Sequence, residues 1–228
     1  MVAHLVLAHL CARNMLIRNL LWKAKNRFAD PERYGYNDYD NRECYYQNLL
    51  TERSGEALLH WLRQGNEAIV NARIQVSFRH IAFQSSPQEV RKLLGKPRFV
   101  IANPMVAGHE IYFYRFRVAR MYSVAALHFL DHALFMANHT FRQLTAGNYQ
   151  QLVEVLADKY GLLPPPKSIA VKDQHGNTVL MTDGLYLTVK YVSGHPAFSE
   201  RIHQLLEEKS QYQQQQRFER TVSLSDFL

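Results

Sequence analysis

The sequence predicts an α+β protein: an antiparallel sheet built from two sequential helix-plus-β-meander units, preceded by an N-terminal helical arm. Two stretches carry this reading, and each ends a helix before strand-like sequence. In the first, Ser86 fits the N-cap, Pro87 the first helical position, Glu89 the return partner of a capping box, and Gly95 a left-handed stop. In the second, Val153 to Tyr160 is closed by Gly161 and then Pro164. A third observation is the alternation of apolar and polar residues after each helix, which has the period of a strand.

The divisions that follow are a helical arm and tyrosine-rich connector over 1–70, a first α+β unit over 71–145, a second with a C-terminal helix over 146–218, and a tail over 219–228. With 228 residues and 47% hydrophobic content, the chain is long enough to bury a substantial core. Twenty-seven Lys and Arg against 20 Asp and Glu give a net charge of +7, which favours association with acidic or phosphate-rich surfaces without specifying chemistry. Cys11 and Cys44 have neither metal nor redox spacing, so a reducing, cytoplasmic setting is expected.

Met1 to Ala12 is apolar but too short to span a bilayer, and no basic residues precede it as in an export signal. A start at Met15 is an alternative to Met1. Over 15–28, Leu16, Leu20, Leu21 and Trp22 oppose Arg18, Lys23, Lys25 and Arg27 as in a basic amphipathic helix, able to dock on its own domain, a second copy or an anionic surface. From Asp30 to Gln47, Tyr34, Tyr36, Tyr39, Tyr45 and Tyr46 are interleaved with acids and chain breakers. Such tyrosines either build a binding surface or pin a long connection to a domain.

A helix is expected over 54–64, with Leu58, Leu59, Trp61 and Leu62 on its buried side, then a strand in which Ile74, Val76 and Phe78 alternate with polar residues. After the 87–94 helix come a strand at 98–102, a turn at Asn103 and Pro104, and a strand from His109 to Arg117. There Tyr112, Tyr114 and Phe116 share one side and Ile111 and Phe113 the other, so both faces need cover. Residues 122–141 read as a hairpin turning at Asp131 and His132. Gly147 and Asn148 introduce the helix to Tyr160, strands follow near 168–172, 177–182 and 185–192, and Pro196 opens a last helix running through the glutamines at 213–216. The end, Thr221 to Leu228, is expected to be loose, with Leu224, Phe227 and Leu228 able to dock on a partner.

The run from Ser86 to Pro97 is similar to the helix and turn of the outer-membrane assembly lipoprotein BamE (SmpA) family and of the β-lactamase-inhibitor-protein-like fold. Leu127 to Leu134 resembles the hairpin of that unit. The likeness covers roughly residues 74–192 and implies a protein-binding scaffold without catalytic apparatus. The family's lipidation signal has no counterpart here, so its membrane anchoring is not implied, and no functional residue is carried over.

Signatures of catalysis are missing from the sequence. Leu94-Gly95-Lys96-Pro97 lacks the upstream glycine and following Ser or Thr of a phosphate loop, and Val192-Ser193-Gly194-His195 lacks a nucleophile elbow. His109 and Glu110 have no second histidine four residues after the first. His128 and His132 are expected on one face of a strand with His139 in the return strand, a geometry that could gather a metal or an acid–base pair, although edge or interface roles suit these residues better.

The leading expectation is therefore a non-enzymatic protein-binding or assembly scaffold, with a protein partner or self-association and no cofactor or metal. Its candidate contact residues are Trp22, Lys23, Lys25, Arg27, Tyr34, Tyr36, Tyr39, Tyr45, Tyr112 and Tyr114. A second reading is a basic nucleic-acid or anionic-surface binder using Lys23, Lys25, Arg27, Arg115 and Arg117, with Tyr112, Tyr114 and Phe116 as stacking rings. A third is an enzyme with a histidine site on the 122–141 hairpin.

Overall fold

The computed structural model describes residues 45–46, 52–66, 70–118, 121–142, 144–162, 169–183 and 186–225. The chain divides into two compact units, Met1–Gln47 and Asn48–Leu228. In the first, Tyr45 and Tyr46 are helical, with their rings edge to face and centroids 5.1 Å apart. The expected boundaries at 70/71 and 145/146 both lie inside the second unit, whose strands form a single sheet.

That unit runs α1 (Gly55–Asn66), β1 (Val70–Asn71), α2 (Pro87–Leu94), β2 (Phe99–Ala102), β3 (His109–Val118), β4 (Met121–Leu130), β5 (Ala133–Phe141), α3 (Ala146–Tyr160), β6 (Ala170–Lys172), β7 (Thr178–Asp183), β8 (Leu187–Val192) and α4 (Pro196–Ser225). The fold is α+β. Its eight strands lie in the order β1-β6-β7-β8-β5-β4-β3-β2, and every pairing is antiparallel except the two-residue parallel contact of β1 with β6.

Local chemistry sets several boundaries. Ser86 and Glu89 form the full capping box at the start of α2, and the Gly95 N–H closes its end on the Arg91 carbonyl. The start of α3 is fixed by Thr145, whose hydroxyl accepts from the Asn148 N–H at 3.2 Å, so the helix begins just ahead of the expected Gly147 and Asn148. Gly161, left-handed at φ 70°, ends it. The β4–β5 hairpin turns where expected, with Asp131 and His132 both left-handed at φ 47° and 64°. Two consecutive left-handed residues match the twist of a two-residue hairpin loop.

Other expectations are corrected. The strand foreseen through Ile74, Val76 and Phe78 is not formed: β1 ends at Asn71, and Phe78 makes a single bridge to Ile81 around Arg79 and His80. The Val76 N–H is captured instead by the Asp173 carboxylate at 2.8 Å. The tail expected over 219–228 begins inside α4, which continues to Ser225.

Both faces of the sheet are covered. On one lie α2 and α3, packing Val90, Leu152, Val153, Leu156 and Tyr160 against Tyr112, Leu127, Val179 and Tyr191. On the other, Leu58, Leu59 and Leu62 of α1 and Phe198 and Ile202 of α4 meet Phe135, Met136 and Val192. A bulge enables this second core. The β4–β5 register shifts between His128 and Phe129, so both Phe135 and its neighbour Met136 join it.

Candidate functional site

Tyr112 and Tyr114, expected at a contact surface, are buried beneath α2. The Arg91 Nη2 donates to the Tyr112 hydroxyl at 2.9 Å, and the Tyr114 hydroxyl donates to the Gly95 carbonyl at 3.3 Å. Burial pushes the Tyr114 hydroxyl up to about 12. These rings pin α2 to the sheet and are no docking platform. Tyr45 lies beside Tyr46, as described above. Trp22, Lys23, Lys25, Arg27, Tyr34, Tyr36, Tyr39, Cys11 and Cys44 lie outside the described residues.

The hairpin histidines do not converge. His128 points to the α1/α4 face, His139 lies opposite Ala125 and points to the α2/α3 face, and His132 sits exposed in the turn. His132 is therefore not on a strand face with His128, because the left-handed turn takes it out of the alternation. Among the described residues, no group of three or more His, Cys, Asp or Glu could hold a metal.

The α1/α4 face buries a polar cluster. The Lys190 ammonium is paired with the Glu52 carboxylate and lies over the ring of Trp61. Burial lowers its pKa while Glu52 opposes that shift. Nearby, the His109 and His128 rings stack at 5.2 Å, with His109 Nε2 and His128 Nδ1 3.1 Å apart, and Asn103 Nδ2 lies 2.8 Å from His109 Nδ1. His128 Nε2 is buried and has no partner among the described residues. Burial holds His109 down to about 2 and His128 to about 3, so both are neutral at pH 7.

The opposite face handles its histidine differently. His139 Nδ1 is 3.1 Å from the Ser123 hydroxyl, and the ring is packed among Phe78, Phe116, Phe141 and Tyr191. Burial, with smaller contributions from Arg79 and Lys159, holds it at about 3. A neutral imidazole beside a hydroxyl resembles part of a nucleophilic pair, but here both groups are buried and the ring is packed among aromatic side chains.

A different set of side chains comes together at the end of the sheet away from the Asp131 turn. Arg117 of β3 lies directly opposite Tyr122 of β4. Arg142 follows the last residue of β5 and Tyr186 precedes the first of β8, and the two strands pair there through Phe141 and Leu187. Two Arg–Tyr pairs thus lie at this end of the sheet, one on β3 and β4 and one just beyond the ends of β5 and β8. The Arg117 guanidinium lies 5.8 Å from the Tyr122 ring centroid and that of Arg142 lies 5.4 Å from the Tyr186 centroid. Tyr122 is 68% exposed, Arg117 and Arg142 are exposed, and Tyr186 is half-buried.

Arg117 was legible in the sequence as a basic neighbour of the β3 aromatics, but the other three members were not. A two-residue turn at Asp131 and His132 with unbroken pairing would set Val124 opposite His139. The bulge moves the register by one residue and substitutes Thr140.

No family model, curated protein or solved structure matches the chain.

Proposed function

We propose that the chain is a non-enzymatic protein-binding or assembly scaffold, made of two sequential helix-plus-meander units that share one sheet. α2 leads into β2–β5 and α3 into β6–β8, with both helices on the same sheet face, which supports the two-unit reading and the resemblance noted from Ser86 to Pro97. The pairing of Lys190 with Glu52 and of His109 with His128 gives these groups structural work inside the body. A cytoplasmic setting fits two cysteines without disulfide-type or metal-type spacing.

The observation that carries the proposal is the second half of α4. This 30-residue helix is about 45 Å long. Phe198 and Ile202 are buried and Leu205 and Leu206 half-buried, whereas residues 207–215 are exposed throughout, Tyr212 at 62%. A helical stretch that is polar all round bridges to another body, is held by i,i+4 side-chain pairs such as Gln216 with Tyr212, or is marginal in water, and bridging is the alternative this reading takes. The occupant in this reading is a second copy or a protein partner.

Light scattering on the full chain and on a chain ending at Lys209 tests this. The full chain should have the mass of an oligomer, or retain a partner on affinity capture from its own cell, and the shortened chain should lose that association while keeping its thermal midpoint. Equal masses and equal capture for the two would overturn the proposal. Among the described residues, no helix is long and apolar enough to cross a membrane.

The anionic-ligand reading is favoured by a separate observation, the pairs Arg117–Tyr122 and Arg142–Tyr186, in which both arginines are exposed.

A further inference from the structure

We infer that β2 is a docking edge for β2 of a second copy of this chain, the two strands pairing antiparallel about a two-fold axis at Ile101 so that one sheet continues across both molecules. This surface is separate from α4, and the inference goes beyond the reading built on that helix.

Among the described residues, the sheet ends in β1 at one side and β2 at the other. β1 has two residues and joins by a parallel contact, too little to template another strand. β2 has four, paired with β3 on one side only. The Asn103 N–H donates to the His109 carbonyl at 2.8 Å, and the bonds of an antiparallel ladder alternate from residue to residue. Ile101 therefore turns its backbone groups toward β3, and Val100 and Ala102 turn theirs away from it. An edge of this kind is ordinarily guarded by charged side chains or proline. Here Val100, 39% exposed, and the exposed Ala102 offer neither, and the flanking Pro97 and Pro104 lie outside the strand.

Those backbone groups call for another extended strand, and charge selects which one. Exposed Lys96 and Arg98 stand just before β2, whereas its last residue, Ala102, lies opposite the half-buried Glu110 of β3. The Glu110 carboxylate accepts a long contact, 3.5 Å, from the Tyr112 hydroxyl and has further lone pairs for a cation. An antiparallel second copy sets the basic start of each strand beside the Glu110 end of the other, while a parallel one would set basic against basic. With the axis at Ile101, Val100 of each copy meets Ala102 of the other and the two exchange both main-chain bonds. Half-buried Ile101 then meets its own counterpart in a close, non-hydrogen-bonded pair, where β-branched side chains interact well. The contact is small, so the dimer is weak and depends on concentration.

Sedimentation velocity of the full chain and of the chain ending at Lys209 tests the edge. The shortened chain keeps β2 and should still form a dimer that grows with concentration. Equal dimeric masses for the two chains would sink the α4 reading alone, and a shortened chain monomeric up to about 1 mM would sink this one alone. Ala102→Pro removes an N–H that points away from β3 and should raise the dimer dissociation constant about tenfold or more. Val100→Lys leaves the backbone untouched and should act in the same direction, which serves should the proline variant unfold. Thermal midpoints check that both are folded. In a chain with Cys11 and Cys44 replaced by serine, Ile101→Cys should join two copies by a disulfide, since a close pair holds its Cα atoms about 4.5 Å apart. Met105→Cys, well away from the axis, should not. A dimer indifferent to both edge variants, or equal cross-linking at 101 and 105, would overturn the inference. So would a monomer that takes up an unrelated extended peptide on β2, which would give the edge to another occupant.

Discussion

The two faces of the sheet bury histidine by opposite means. Under α2 and α3, His139 has a ring environment of Phe78, Phe116, Phe141 and Tyr191, and its Nδ1 meets the Ser123 hydroxyl. Under α1 and α4, His109 and His128 stack on each other in the same layer as the buried Lys190–Glu52 pair. The first arrangement depends on apolar packing with one polar tie. The second depends on polar groups that are each other's partners, so removing one strands another. The same residue type should therefore report on two modes of stabilisation within one domain.

The largest effect expected is common to both faces and comes from acid. His109, His128 and His139 are held by burial at about 2, 3 and 3, below the ordinary 6.5 of an unfolded chain. Below pH 6.5 the unfolded state binds protons that the folded state refuses, so stability is complete above that pH and falls as the pH drops toward 3. Each such histidine contributes a slope of up to about 1.4 kcal/mol per pH unit, and the three together roughly 4. Urea unfolding at pH 7, 6 and 5 should show this loss, a large share of a typical domain's total stability. His139→Phe, which suits its aromatic neighbours, should remove about a third of the slope and leave the contribution of the stacked pair. A slope unaltered by that substitution would mean that His139 titrates alike in both states.

A difference between the faces should appear next in size. Glu52→Ala leaves the Lys190 ammonium buried over Trp61 without its counter-charge, and breaking such a pair costs about 3–5 kcal/mol. Replacing both partners, Glu52→Leu with Lys190→Met, should recover most of that loss, because two apolar side chains need no partners. Chemical denaturation of the single and double variants measures the recovery. Failure of the double variant to improve on Glu52→Ala would show that the pair serves packing that leucine and methionine cannot reproduce.

Features made by neighbours in sequence were the legible ones. The α2 capping box spans Ser86 to Glu89, and the β4–β5 turn needs two left-handed residues at Asp131 and His132. Both are closed by bonds a few residues long, so composition and spacing reveal them. The side on which Tyr112, Tyr114 and Phe116 fall was also legible, since a strand alternates regardless of its partners. Whether that side is exposed was not, because it depends on where α2 docks: Arg91 and Gly95, respectively 21 residues before Tyr112 and 19 before Tyr114, decide it. The lost strand at Ile74 to Phe78 turns on Asp173, 97 residues beyond Val76. The β4–β5 pairing turns on one extra residue at Phe135, which shows no distinct sequence signal yet resets every pair on the far side of the bulge.

The smallest effect is expected on the aromatic face. Ser123→Ala removes the hydroxyl that meets His139 Nδ1 and leaves a polar nitrogen buried among rings. Losing one neutral hydrogen bond, with the partner left desolvated, costs about 1–3 kcal/mol, and the lower end applies where a ring can shift. The acid slope should be retained, because burial and not the serine is the main cause of the depressed His139 value. Ser123→Ala combined with His139→Phe should be less destabilised than Ser123→Ala alone, since the unpaired nitrogen is gone and phenylalanine fills the box. Denaturation midpoints at pH 7 for the two single variants and the double decide it. A double variant whose loss equals the sum of the singles would mean that Ser123 and His139 act independently, and the aromatic face would then owe its stability to ring packing alone.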